Sequence, residues 1–148
     1  MKIGKRILLF CIGGLGYVSL EWLWRGWSHG SMFLAGGGCF LLLGKTGAVL
    51  RRRPVAVKAM AGAGLVTAVE LMAGLAVNRN YNVWDYRNMP INFLGQICLP
   101  YFLLWMPLSL CGMGLYQKLD SLIPHEMSKN TFVFRRKTRI LQNYQIRH

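Results

Sequence analysis

Acidic side chains are scarce in this chain: five Asp and Glu stand against eighteen Lys and Arg in 148 residues. In a soluble protein a net charge of +13 would point to nucleic acid. Here the basic residues sit between long apolar runs and form no single face, so no nucleic-acid partner is expected. Signatures of catalysis and cofactor binding are missing too. There is no G-x-x-x-x-G-K loop, no G-x-G-x-x-G after a strand and no H-E-x-x-H pair. Cys11, Cys39, Cys98 and Cys111 lie in apolar runs without C-x-x-C spacing. They read as small buried hydrophobes, and no metal site follows. His29, His125 and His148 form no pattern with Ser or Cys that suggests a nucleophile. Neither an enzyme nor a cofactor is expected.

What the chain has in abundance is apolar length. Four runs can cross a bilayer core of roughly 30 Å: Ile7–Trp24, Ser31–Leu50, Val55–Val77 and Ile97–Tyr116. The first follows Lys2, Lys5 and Arg6, as a secretory signal would. No small-x-small cleavage pattern follows it, so it reads as an uncleaved helix. Lys45 and Lys58 lie near run ends, where their amines can snorkel to the interface. Pro100 falls in the first turn of the fourth run, and Pro107 in its interior should kink that helix. The expectation is an all-α, polytopic membrane protein: a four-transmembrane-helix bundle at 1–118 with a long outer loop before the fourth helix, then a basic cytoplasmic tail at 119–148.

Charge suggests an orientation. Fifteen of the eighteen basic residues flank the ends of the runs that share a side with the N-terminus, and only Arg25, Arg79 and Arg87 lie on the other side. The positive-inside rule then places both termini and Arg51–Arg53 in the cytoplasm of a cell-membrane protein. Glu21, Glu70 and Asp85 fall toward the outer half, balanced by those three arginines.

Glu70 lies inside the third run, where a carboxylate costs about 2.5–3.5 kcal/mol on insertion scales. Its helix face carries Gly62, Ala63, Val66, Thr67, Ala73 and Gly74, and Glu21 shares a face with Tyr17, Gly14 and Gly13. Small residues mark close helix contact in membranes, so both carboxylates should face other helices. The run Gly36–Gly38 allows close approach as well, although glycine is simply common in membrane helices.

The outer loop Asn78–Gln96 is polar, aromatic and nineteen residues long, unusual in so small a chain. Tyr81, Trp84, Tyr86 and Phe93 could be an interfacial aromatic belt. Asp85, Asn88, Asn92 and Gln96 fit a belt less well. Pro90–Gly95 could begin a re-entrant element, whose backbone would need to be buried or to line water. Asp85 is expected to bond Arg87, Arg79 or loop amides, and Asn92 and Gln96 to bond backbone groups.

Within this loop the pattern Trp84-Asp85-Tyr86, Asn88, Pro90, Asn92, Gly95, Ile97-Cys98-Leu99 resembles the bacterial four-helix membrane family labelled "putative ABC transporter permease". The resemblance covers about residues 1–118 and implies membrane transport. No nucleotide-binding motif is present, so any ATPase would be a separate chain.

Two function classes follow. In one, the chain is a transport-related subunit, alone or as a homo-oligomer or with another membrane subunit. Glu70, with Glu21, Asp85, Trp84, Tyr86, Asn92 and Gln96, would form the ligand or ion site, and the loop would gate it. In the other, the chain is a non-transporting accessory or scaffold subunit in which Glu70 pairs with Arg79 or Arg25. Arg135, Arg136, Lys137 and Arg139 in the tail could bind anionic lipid head groups at about 1 kcal/mol each, or only enforce topology.

Overall fold

The computed structural model describes residues 3–123, and the four tail arginines and lysines named above lie outside them. The chain forms helices α1 (Ile3–Arg25), α2 (Gly30–Val49) and α3 (Val55–Val77), then strands β1 (Asn92–Phe93) and β2 (Ile97–Cys98), then helix α4 (Leu99–Leu122). All four helices are long and apolar enough to span a membrane. Among the described residues the architecture is all-α apart from one two-stranded antiparallel hairpin, in which Asn92 faces Cys98 and Phe93 faces Ile97.

Helix α3 has the bounds its sequence predicts. Helix α1 starts earlier than Ile7. Its Lys5 side chain, 8 % exposed, reaches Asp120 Oδ1 at 2.9 Å and also donates to the carbonyls of Asp120 and Ile123. That capture orders the first turn of α1 against the last turn of α4. Helix α4 correspondingly runs past Lys118, because Tyr116, Leu119 and Ile123 pack on Leu9 and Phe40. Pro107 stands inside α4 without ending it, and Pro100 occupies the first turn, where no donor is needed.

Helices α1 and α2 share one pattern. Phe10-x-x-Gly13-Gly14-x-x-Tyr17 on α1 meets Phe33-x-x-Gly36-Gly37-x-x-Phe40 on α2. A Cβ at Gly13 would meet Phe40, at Gly14 Phe33, at Gly36 Tyr17 and at Gly37 Phe10. Each aromatic ring therefore sits in the hole left by a glycine on the other helix. Small residues let membrane helices approach closely and gain dispersion contacts where lipid offers no hydrophobic drive. Gly38, the third of its run, meets nothing within 4 Å and does not take part. On the other side of α2, Gly44 receives the ring of Tyr116, and Gly62 of α3 receives Ser109.

The turns have local causes. Gly26, at φ +77°, closes α1 through its amide bond to Trp22 O, and His29 caps α2 by accepting from Ser31 N at 3.2 Å. Pro54 precedes α3 after the Arg51–Arg53 turn. The core is a line of clusters along the bundle: Leu9, Phe40 and Tyr116 at the terminal end, Cys39, Leu43, Val66 and Met113 in the middle, and Met32, Val83 and Trp84 at the loop end. Two cysteines depart from expectation. Cys39 and Cys98 are buried, but Cys11 is half-buried and Cys111 is exposed on the outside of the bundle, where an apolar environment suits it equally.

Candidate functional site

The loop end of the bundle is organised by Asn78, the residue after α3, which is 1 % exposed. Its Nδ2 donates to Trp84 O at 2.6 Å and to Gln96 Oε1 at 3.0 Å, and its Oδ1 accepts from Val83 N at 2.8 Å. Gln96 Nε2 donates back to Asn78 O at 3.1 Å, and Trp84 Nε1 donates to Gln96 O at 2.9 Å. This is a closed, buried polar network, in which every partner is satisfied from within the loop. It requires close approach to α3, which Gly74 provides: a Cβ there would collide with Gln96.

The knot folds the loop over the bundle. The expected re-entrant element is instead the β1–β2 hairpin, held by Tyr86 N to Gly95 O at 3.0 Å and turned by Leu94 and Gly95, both at positive φ. Asn92 braces this turn: its Nδ2 donates to Met89 O at 2.9 Å and its Oδ1 accepts from Gly95 N. The expected aromatic belt is also corrected. Trp84 is buried and Tyr86 stacks on Tyr101 at 4.6 Å between centroids, leaving Phe93 as the exposed aromatic of that set. Tyr81 lies under the Arg87 guanidinium at 4.2 Å.

Glu70 receives two neutral donors from different elements. Tyr86 Oη, from the loop, donates to Oε1 at 2.9 Å, and Trp105 Nε1, from α4, donates to Oε2 at 3.0 Å. Among the described residues no Lys or Arg forms an ion pair with it. The pairings expected of it are used elsewhere. Arg79 Nε bonds Leu75 O within its own helix, and Arg25 binds Glu21. Glu21 also accepts from Ser28 Oγ at 2.5 Å, while Arg25 Nη1 donates to Val83 O at 2.8 Å and its guanidinium lies 4.9 Å from the Trp27 ring. Burial, reinforced by the adjoining Glu70 carboxylate, pushes the Tyr86 phenol above its ordinary value, so the hydroxyl stays a donor.

These groups surround one small cavity of about 30 Å³, bordered by Tyr17, Glu21, Arg25, Glu70, Trp84 and Tyr86. That volume suits one or two waters or a small ion. Of the seven residues singled out in sequence, four thus come together: Glu70, Glu21, Trp84 and Tyr86. Gln96 stays behind them in the knot. Asp85 and Asn92 face away. Asp85 binds Arg87 through three side-chain contacts at 2.7, 2.9 and 3.1 Å and through Arg87 N at 3.0 Å, and these bonds hold its carboxyl below the ordinary aspartate range. Sequence reasoning placed Tyr17 on the face of Glu21 without making it a site residue, and missed Asn78 and Trp105. Trp105 lies 35 positions from Glu70, and nothing in its own neighbourhood marks it as a donor.

Residues 7–134 match the family described as "Putative ABC-transporter type IV". The chain belongs to that family. With four apolar helices, it is a multi-pass, transport-related membrane protein that sits in the lipid bilayer. The family match runs past residue 118, further than the motif-based resemblance reached. No curated protein and no solved structure matches the chain.

Proposed function

We propose that the chain is a membrane subunit of a transport assembly in the cell membrane, with Glu70 as its cation- or proton-binding carboxylate and the loop 78–98 as the cover over it. One observation carries this reading. An intramembrane carboxylate has both oxygens held by neutral Tyr and Trp donors, beside a cavity, with no basic partner among the described residues. A carboxylate kept only for packing would be expected to have its charge matched by a base. Here Tyr86 and Trp105 fix its position and leave the charge to be matched by a proton or a cation. The role is binding and passage, not catalysis. Both termini and the Arg51–Arg53 turn are cytoplasmic in this reading, and the loop faces outward. Four helices are few for a complete pathway, so a second copy or another membrane subunit completes it.

A scaffold reading draws on the same bonds. Tyr86–Glu70–Trp105 joins the loop to α3 and α4, as a structural clasp would. Infrared difference spectroscopy of the full-length protein in lipid nanodiscs separates the two. A carboxyl band that responds to acid or sodium and vanishes in a folded Glu70→Gln protein supports the cation site. A Glu70→Gln protein that melts earlier but keeps the wild-type response leaves Glu70 a clasp only. For orientation, a single Cys at position 82 should react with an impermeant reagent in intact cells, and one at 52 should not.

A further inference from the structure

Helix α1 seals against α2 but stands off from α4, and the gap continues the Glu70 site toward lipid. At the loop end it widens to a chamber of about 260 Å³ walled by Tyr17, Trp24, Tyr86, Tyr101 and Trp105, with the Glu21–Arg25 pair at its rim. Below the stacked rings of Tyr17 and Trp105, whose centroids are 6.1 Å apart, it becomes an apolar trough of about 450 Å³. Leu20 and Leu108 line both parts, and Gly16 faces the trough with nothing within 4 Å of where a Cβ would stand. From Leu20 to Ile12 the trough follows α1 for about 12 Å.

The chemistry of the chamber selects a charge. Glu21 borders the chamber, Glu70 stands behind it bonded to the Tyr86 and Trp105 walls, and the single guanidinium at the rim is that of Arg25. That guanidinium is committed to Glu21, to Val83 O and to the Trp27 ring. An anionic head, or the phosphate of a phospholipid, would find no free basic partner there and would lie against Glu21. A cation finds five aromatic side chains in the wall, and an aromatic ring attracts a cation placed over its face. Two of those walls, Tyr86 and Trp105, donate hydrogen bonds to Glu70, and a carboxylate acceptor enriches the donor's ring in electrons. The chamber and the trough together therefore form a polar-headed, apolar-tailed mould, largely apolar with a few placed polar groups.

We infer that the α1–α4 cleft binds a lipophilic organic cation, with its ammonium head in the aromatic chamber beside Glu70 and its alkyl chain in the trough. This deepens the reading of Glu70 as a cation site and rests on it.

The test uses the full-length protein in phosphatidylcholine nanodiscs, with dodecyltrimethylammonium as probe. Saturable binding is expected, at least tenfold tighter than that of tetramethylammonium, with no competition from dodecanoate. Gly16→Leu fills the trough from an open position, so the fold is retained while affinity drops at least tenfold. Glu70→Gln should weaken binding by a similar factor, and if it fails to fold, Tyr101→Ala, which removes a chamber wall and neither donor to Glu70, should weaken it as well, unchanged affinity there counting against the inference. Equal binding of dodecanoate, or unchanged affinity in Gly16→Leu, would overturn the inference. Unchanged affinity in a folded Glu70→Gln protein would overturn it too. The infrared response of Glu70 to acid or sodium is read separately: if it persists while the probe does not bind, the organic-cation inference falls and the Glu70 site stands.

Discussion

Helix α1 meets its two neighbours in opposite ways. Toward α2 it alternates aromatic rings with glycine pairs, and the two backbones close to contact. Toward α4 it offers Gly16 and Leu20 to an open cleft, and is tied mainly by Lys5 at one end and by the Tyr17–Trp105 stack farther along. Glycine stands on both faces, so composition does not distinguish them. The difference lies in what stands opposite. A ring that fills a missing Cβ makes an interface, and a missing Cβ with nothing opposite makes a passage.

The strongest way to break this contrast is to add the same methyl group to each face. Gly37→Ala would drive its Cβ into Phe10 and the Phe10 carbonyl, which belongs to backbone and cannot move aside. It should destabilise the protein by about 1–3 kcal/mol or more, measured by thermal unfolding in detergent. Gly16→Ala, in the open cleft, should be neutral or stabilise by about 0.5–1 kcal/mol, because alanine favours helix. Equal losses at the two positions would show that the cleft is closed in the membrane.

The loop knot comes next. Asn78→Ala leaves Gln96 Oε1, the Trp84 carbonyl and the Val83 amide buried without the partners they have here, at a cost of about 1–3 kcal/mol for each group. The loop should become protease-sensitive while all four helices stay inserted. A smaller effect is expected from Tyr86→Phe, which removes one hydrogen bond to a carboxylate, worth about 1.5–3 kcal/mol at most when buried. Its signature is opening of the cleft near Glu70, read as faster amide exchange at residues 84–87. Because the folded-state value of Tyr86 is raised, its contribution is fully present below the unfolded value of about 10 and is lost as pH rises beyond it. Tyr86→Phe should flatten that alkaline loss.

The smallest effect belongs to Asp85, paired with Arg87 on the exposed side of the loop. Its folded-state value is depressed, so the pair supports the loop above the unfolded value of about 3.9 and fades as pH falls through the lower folded value. Asp85→Ala should raise proteolysis locally at neutral pH without moving the global melt, and should remove the acid dependence of that cleavage. A global shift would mean that the loop surface, not the knot, holds the cover in place.

The sequence by itself determined the four spans, because apolar length against bilayer thickness needs no knowledge of neighbours. It determined the limits of α3, the burial of its small-residue face and the presence of an acid on that face. Gly13-Gly14 and the Gly36–Gly38 run were legible as places of close approach, but not the aromatic rings that fill them or the helix that supplies each ring. Only the tertiary structure decided that Glu70 meets Tyr86 and Trp105 and not Arg25 or Arg79. Arg25 is held by Glu21 one turn away and by the loop, and Arg79 turns back on its own helix. It also decided that Asn78, ordinary in sequence as a residue after a helix, organises the loop, and that Asp85 faces away from the site. Spans follow from the solvent that each segment must satisfy alone. Partners follow from which faces are left after the closest packing is made, and that is settled only when all four helices are in place.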